Sequence, residues 1–163
     1  MFFCGSRKPR QSKRKQTRRG FSLIEVLIVL GILSILSTLA IPKLFSALYA
    51  VKLARAVADI NALNKDITQY NLQKGAYPAT LADIGRSTMN DPWGNPYQYL
   101  NLSAAGAAGQ ERIDRFGVRI NTNYDVYSLG LDAQSAPDLT SGLSQDDVIF
   151  AADSGYYGLA SEF

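Results

Sequence analysis

The chain has 163 residues, with 17 Lys and Arg against 14 Asp and Glu, which gives a net charge of +3 and a pI near 9.0. The sequence contains no histidine and one cysteine, Cys4, which excludes His-based metal sites, Ser-His and Cys-His nucleophilic pairs and an internal disulfide. No carboxylate pair lies in a recognisable active-site motif, so the composition favours a protein that is not an enzyme.

The first 20 residues are strongly basic. They contain eight of the Lys and Arg residues and no acid, so the rest of the chain carries a net charge of −5. A basic cluster is sometimes an arm that binds nucleic acid, but this one directly precedes an apolar segment, where Lys and Arg mark the cytoplasmic side of a membrane span. We therefore expect a cytoplasmic leader at 1–20, no nucleic-acid partner, and a C-terminal part on the outer side of the membrane.

The next segment, 21–41, is long and apolar and contains a single charged residue, Glu25. At about 1.5 Å per residue a helix of this length spans the ~30 Å hydrocarbon core of a bilayer. A charged residue at the bilayer centre costs roughly 2.5–3.5 kcal/mol on insertion scales, so a lone carboxylate there normally has a partner and a function.

Three simpler interpretations of the N-terminus stay open at this point. One is a secretory signal that ends at Ser37–Ala40, and another is a twin-arginine export signal around Arg18 and Arg19. Glu25 and the length of the apolar segment argue against both. The third is an ordinary signal anchor that carries an accidental Glu.

A helix is predicted to continue beyond the apolar segment as an amphipathic half over 43–74. Pro42 removes one backbone hydrogen bond from it and allows a kink or local melting. A basic last turn and a glycine cap favour an end at Lys74–Gly75. Apolar residues are predicted to follow one face at helical spacing, first Leu44, Leu48, Val51, Ala54 and Ala58, then Ile60, Leu63, Ile67 and Tyr70.

The remainder, 75–163, is predicted to be a small globular head. Strands are expected at 97–102, 124–129 and 148–150, with a single turn at 80–84 and dense turn residues at 91–96. Trp93 is the expected core anchor. These elements predict an α+β fold, in which an antiparallel meander packs on the amphipathic helix.

The junction Gly20-Phe21, with Glu25 shortly after it, resembles the cleavage site of type IV pilins and type II secretion pseudopilins. That resemblance implies that a prepilin peptidase cuts after Gly20 and methylates Phe21. It also implies that Glu25 neutralises the terminal amine of an adjacent subunit as a filament grows.

Three motifs in the head sharpen the resemblance: Gly75-Ala76-Tyr77-Pro78, Asp91-Pro92-Trp93-Gly94-Asn95-Pro96-Tyr97 and Tyr124-Asp125-Val126-Tyr127-Ser128-Leu129-Gly130. Together they resemble the major, G-type pseudopilins of type II secretion. The resemblance implies a pilin fold, a single-pass inner-membrane protein with a periplasmic head, and a fibre that drives export of folded proteins. The implied partners are further copies of the chain, minor pseudopilins, the prepilin peptidase and the inner-membrane assembly platform.

The same family binds calcium in the loop that corresponds to 129–147, called the acidic loop below. The resemblance implies the Leu129 carbonyl, Asp132 and Asp147 as ligands. The chain departs from the family pattern, because Ala133 stands where a glycine usually eases the turn and because 103–123 and the C-terminus are longer. The alternative is a solvated acidic surface loop without a metal.

Two rival functions remain. A surface type IV pilin for adhesion, motility or DNA uptake shares the N-terminal junction, but the absent disulfide and the head motifs count against it. A monomeric, exported binding protein would keep its span as an anchor or lose it as a signal. The N-terminal residue of the mature protein distinguishes this second rival from both filament proteins.

Overall fold

The computed structural model describes residues 20–163, so residues 1–19 of the predicted leader lie outside the described part of the chain. Helix α1 (Leu23–Lys74) is followed by four strands: β1 (Gln98–Asn101), β2 (Tyr124–Ser128), β3 (Val148–Ala151) and β4 (Tyr156–Leu159). Short 3₁₀ helices occupy Leu81–Ile84, Ala152–Ser154 and Ala160–Glu162. The chain divides into two compact units, one that ends at Pro42 and one that comprises Lys43–Phe163.

The first unit consists, where described, of the N-terminal junction and the apolar part of α1. Its first turn forms because the Ser22 carbonyl accepts hydrogen bonds from the N–H groups of Glu25 and Val26, at 3.1 and 3.3 Å. The side chains from Gly20 to Pro42 are all exposed, and by length and composition the helix can cross a membrane. Helical backbone continues through Pro42, so the local melting that the sequence allows there is not seen.

In the second unit, the later part of α1 supplies one wall of the core. Ile60, Leu63 and Ile67 are fully buried, as the sequence predicts, and Ala56 is buried with them. The prediction is wrong for the earlier positions of this face, because all five of them are exposed: Leu44, Leu48, Val51, Ala54 and Ala58. Steps of three and four residues back from Ile60 lead to Val57 and Ala56, whereas a step of two leads to the opposite side of the helix.

The helix ends where the sequence predicts. Lys74 is its last residue, and Gly75 follows with a φ of 73°, in the left-handed region that commonly ends helices. The single turn expected at 80–84 is the 3₁₀ helix Leu81–Ile84. Trp93 is half-buried against the core, and its ring centroid lies 6.0 Å from that of Tyr49.

The four strands form an antiparallel meander in the order β1-β2-β3-β4. Tyr127 of β2 pairs with Gln98 of β1 and Ile149 of β3, and Val148 pairs with Leu159 of β4. Three strands and the α+β class are confirmed, but β4 was missed. The segment 151–163, taken from sequence as an extension, turns back at Gly155 and adds this edge strand.

Alternation along the strands gives the sheet two different faces. On one face Tyr124, Val126, Val148 and Phe150 pack with the buried residues of α1. On the other, Ile149 belongs to a second cluster formed with Ile120, Leu139, Ala151 and Ala160. Asp125, which lies between Tyr124 and Val126 in β2, therefore projects away from α1, towards the loops.

Candidate functional site

The N-terminal junction is an accessible segment at the start of a helix. Gly20 and Phe21 precede α1, and the Phe21 side chain is 81% exposed. Glu25 lies exposed in the first helical turn, where unpaired backbone N–H groups and the helix dipole favour a negative charge. The described side of the junction between Gly20 and Phe21 is exposed, and a cation approaching the helix end would meet the Glu25 carboxylate.

The residues predicted to bind calcium lie in different environments within the acidic loop. Asp147 is fully buried, Leu129 is half-buried, and Asp132 is exposed, with its Oδ1 accepting a hydrogen bond from the Gln134 N–H at 2.8 Å. Among the side chains that the structure describes, which exclude that of residue 153, no group of three or more His, Cys, Asp or Glu is placed to hold a metal ion.

Asp147 instead pairs with a buried arginine. Arg112 is 2% exposed, and its Nη2 donates to Asp147 Oδ2, which also accepts from the Ser135 hydroxyl at 2.6 Å. Burial raises the pKa of Asp147 to about 6, while the hydrogen bond from Ser135 and the charge of Arg112 oppose that rise. The carboxylate faces a guanidinium, whose positive charge favours its ionised form.

Arg112 also reaches strand β2 and a second residue of the acidic loop. Its Nη1 donates to the Ser135 hydroxyl, its Cζ lies 4.1 Å from the centroid of the Tyr127 ring, and its backbone N–H donates to Asp125 Oδ2 at 2.9 Å. Burial raises the pKa of Asp125, although the N–H of Arg112 and the Asn121 amide, 2.8 Å from Oδ1, stabilise its charged form. Sequence reasoning missed Arg112, because nothing in the local pattern distinguishes it from a surface arginine.

Asp146 organises the start of the acidic loop. Its Oδ2 accepts hydrogen bonds from the N–H groups of Leu131 and Asp132, at 2.7 and 3.1 Å. Gly130, with a φ of +64°, lies against it so closely that a β-carbon there would overlap the Asp146 carbonyl oxygen. This acid, which sequence reasoning did not single out, fixes the turn after β2.

Two of the three head motifs, those that begin at Asp91 and at Tyr124, contact each other. Asp91 Oδ2 accepts a hydrogen bond from the Ser128 hydroxyl at 2.5 Å, and the Asn95 amide donates to the Gly130 carbonyl at 2.9 Å. Asp91 and Ser128 are both buried. The turn 91–96 is therefore tied directly to the end of β2, where the acidic loop begins.

The missing glycine of the acidic loop has a structural consequence. Ala133 has a φ of 58° and is the one residue other than glycine with positive φ in the described part of the chain. For an L-residue this conformation costs roughly 1–2 kcal/mol. The turn thus adopts the backbone expected of a glycine, with an alanine in its place.

We expect Ala133→Gly to stabilise the head. Relief of the left-handed strain exceeds the entropy that glycine adds to the unfolded chain, so the free energy of unfolding should rise by about 0.5–1 kcal/mol. Thermal melts followed by circular dichroism measure the change. Ala136→Gly, in the same loop but without a positive φ, is the matched control and should lower the stability. If the Ala133→Gly protein were no more stable than the parent, the positive φ at Ala133 would not be a source of backbone strain.

An exposed apolar helix that starts at a Gly-Phe junction, bears a Glu in its first turn and is followed by an α+β head defines a pilin-like subunit. A profile of the prokaryotic N-terminal methylation motif matches residues 15–41. Over 142 residues the chain is 32% identical to type II secretion system core protein G of Pseudomonas aeruginosa, covering 74% of this chain and 89% of that protein. The chain belongs to the core protein G family of type II secretion systems.

Other relatives carry the same name. Identity is 32% to the core protein G of Aeromonas hydrophila, over 77% of this chain and 91% of that protein. It is also 32% to that of Vibrio cholerae, over 74% of this chain and 84% of that protein. No solved structure matches the chain.

Proposed function

We propose that the chain is a structural, non-enzymatic subunit of the type II secretion pseudopilus, a periplasmic fibre that drives export of folded proteins. One observation carries the proposal: an N-terminal methylation motif lies on an exposed apolar helix in a chain related to core protein G along most of its length. The curated relatives share this name, so the surface type IV pilin is not favoured as the alternative.

The exposed apolar side chains explain why such a subunit would polymerise. Between Phe21 and Ile41 the large apolar residues are about half or more exposed, a surface that needs either lipid or other helices as cover. Leu44, Leu48 and Val51 extend that exposure beyond Pro42. The membrane covers 21–42 first, and the helices of neighbouring subunits cover it in the fibre.

Glu25 fixes the register between neighbouring helices. Cleavage after Gly20 creates an amine at Phe21, and the Glu25 carboxylate of an adjacent subunit neutralises it. At about 4 Å and an effective dielectric constant of ~20, a pair of unit charges attract by about 4 kcal/mol. A subunit that is out of register leaves the carboxylate unpaired in an apolar environment, which is costly.

Processing and assembly require partners and an orientation. The proposed organisation is a cytoplasmic leader at 1–20 that the prepilin peptidase removes, a membrane half at 21–42, an amphipathic half at 43–74 and a periplasmic head at 75–163. Further copies of the chain, minor pseudopilins and the inner-membrane assembly platform complete the fibre. Calcium at Leu129, Asp132 and Asp147, which the family resemblance implies, is not part of this proposal, and no step of assembly here depends on it.

Mass spectrometry of the N-terminal peptide, from protein purified out of membranes, tests the proposal. We expect N-methylphenylalanine at Phe21. Protein from cells that lack the prepilin peptidase is the control and should keep the leader. An N-terminus at Met1 in cells with the peptidase, or at Ile41, would contradict the proposal, because the span would then be an anchor or a cleaved signal.

A further inference from the structure

We infer that the Arg112 guanidinium takes the place of a structural cation in the acidic loop, so that the head folds without calcium. The inference goes beyond the proposed function, since it concerns how the head is held together and not how subunits assemble. It rests on the buried contacts of Arg112 and on the hydrogen bonds that the carboxylates of the acidic loop accept from protein groups.

The guanidinium makes the cross-links that a bound metal ion would make. It joins Asp147 at the end of the acidic loop to Ser135 in the middle, and it stacks on Tyr127 of β2. Its own backbone is tied to β2 through Asp125. Arginine suits this role, because its charge is permanent and its fork of donors can bind several oxygens at once.

The remaining oxygens do not form a calcium site. Calcium takes six to eight oxygen ligands. Asp147 Oδ2 already accepts from Arg112 and Ser135, Asp146 Oδ2 accepts from two backbone N–H groups, and the Asp132 carboxylate is exposed and bonded to Gln134. One oxygen of each of these carboxylates thus accepts hydrogen bonds from protein groups, and among the residues that the structure describes no three such side chains are grouped to hold one ion.

One buried oxygen marks where a calcium ion would have to bind. Asp147 Oδ1 has no hydrogen-bond partner within the described residues. An ion there would share its carboxylate with the guanidinium, and at such short range in a buried site the two positive charges would repel each other strongly. Arg112 and calcium are therefore competitors for the same anion.

The first test compares thermal melts of the processed chain, residues 21–163, in detergent. One sample contains excess EDTA and the other contains excess calcium chloride. We expect the two Tm values to agree within about 2 °C, because a ligand that does not bind the folded state does not stabilise it. A Tm that rises in calcium and falls again when EDTA is added would overturn the inference.

The second test removes the guanidinium. Breaking a buried ion pair on one side leaves an uncompensated charge, so Arg112→Met should lower the Tm by about 10–20 °C. Arg119→Met is the matched control, because Arg119 pairs with Glu111 at 2.9 Å but its side chain is 56% exposed, and it should lower the Tm by about 2 °C or less. Equal Tm values for the two variants would overturn the inference.

A double variant keeps the inference testable if Arg112→Met folds poorly. Asp147→Asn added to Arg112→Met removes the unpaired buried charge while it retains the shape of the side chain. The double variant should therefore regain part of the lost Tm. A double variant no more stable than Arg112→Met would mean that the two residues do not act as a charge pair. The mass spectrometry of the N-terminal peptide, which tests the proposed function, does not depend on Arg112 or on calcium. A failure of this inference can therefore be distinguished from a failure of the proposed function.

Discussion

Asp91→Ala should destabilise the head by about 3 kcal/mol, near the upper end of what single substitutions cost. Asp91 is 4% exposed, and its Oδ1 accepts from the N–H groups of Trp93 and Asn95 at 3.0 and 2.8 Å. Its Oδ2 accepts from the Ser128 hydroxyl, which is itself fully buried. Alanine would leave the buried Ser128 hydroxyl and the two partly buried N–H groups without their acceptor.

Asp114 provides a matched control in a second copy of the same turn. Its Oδ1 also accepts from the N–H groups two and four residues on, those of Phe116 and Val118, both at 2.8 Å. The Asp114 N–H donates to the Val118 carbonyl at 2.8 Å, as the Asp91 N–H does to that of Asn95, also at 2.8 Å. The second turn projects an exposed Phe116.

The two turns therefore separate local from long-range effects. Asp114→Ala should cost about 1 kcal/mol, since solvent can replace the lost acceptor. Thermal melts of both variants give the difference. If Asp114→Ala lowered the free energy of unfolding as much as Asp91→Ala, the turn alone would explain the destabilisation. The contact between the two head motifs would then make no separate contribution to stability.

Local patterns were sufficient to predict much of this fold. The apolar segment, the helical spacing of Ile60, Leu63 and Ile67 and the cap at Gly75 each depend on residues a few positions apart. The first three strands follow from runs of β-branched and aromatic residues between turns. The strand β4 was missed because its run, Tyr156–Leu159, is short and contains Gly158, which weakens a strand signal.

The interactions that hold the acidic loop could not be predicted in the same way. Asp91 lies 37 positions from Ser128, and Arg112 lies 35 from Asp147. Charged side chains are almost never fully buried unless they are paired, and a sequence without its fold does not show which pairs meet. Resemblance to a family supplied candidate oxygens at Asp132 and Asp147, but it could not show that an arginine reaches one of them.

Glu25 has no charged neighbour along the apolar segment with which it could pair. Within the apolar segment 21–41 it is the one charged side chain, and it lies exposed in the first turn of α1. If the chain is cleaved after Gly20 as proposed, the new amine at Phe21 of a neighbouring subunit would supply the cationic partner for Glu25 in a bundle of such helices. The pair would be made between subunits and not within one, so its loss should affect assembly and leave the fold of the head intact.

We therefore expect Glu25→Ala to be inserted and cleaved normally but to form at least about tenfold fewer filaments, a modest fraction of what a pair worth several kcal/mol allows. Electron microscopy and shearing assays measure filament yield, and mass spectrometry of Phe21 verifies processing. Glu25→Gln retains the shape and should fail similarly, which separates charge from packing. Glu162→Ala removes an exposed carboxylate from the head and should assemble like the parent. Normal filament yield from Glu25→Ala would mean that apolar packing alone sets the register.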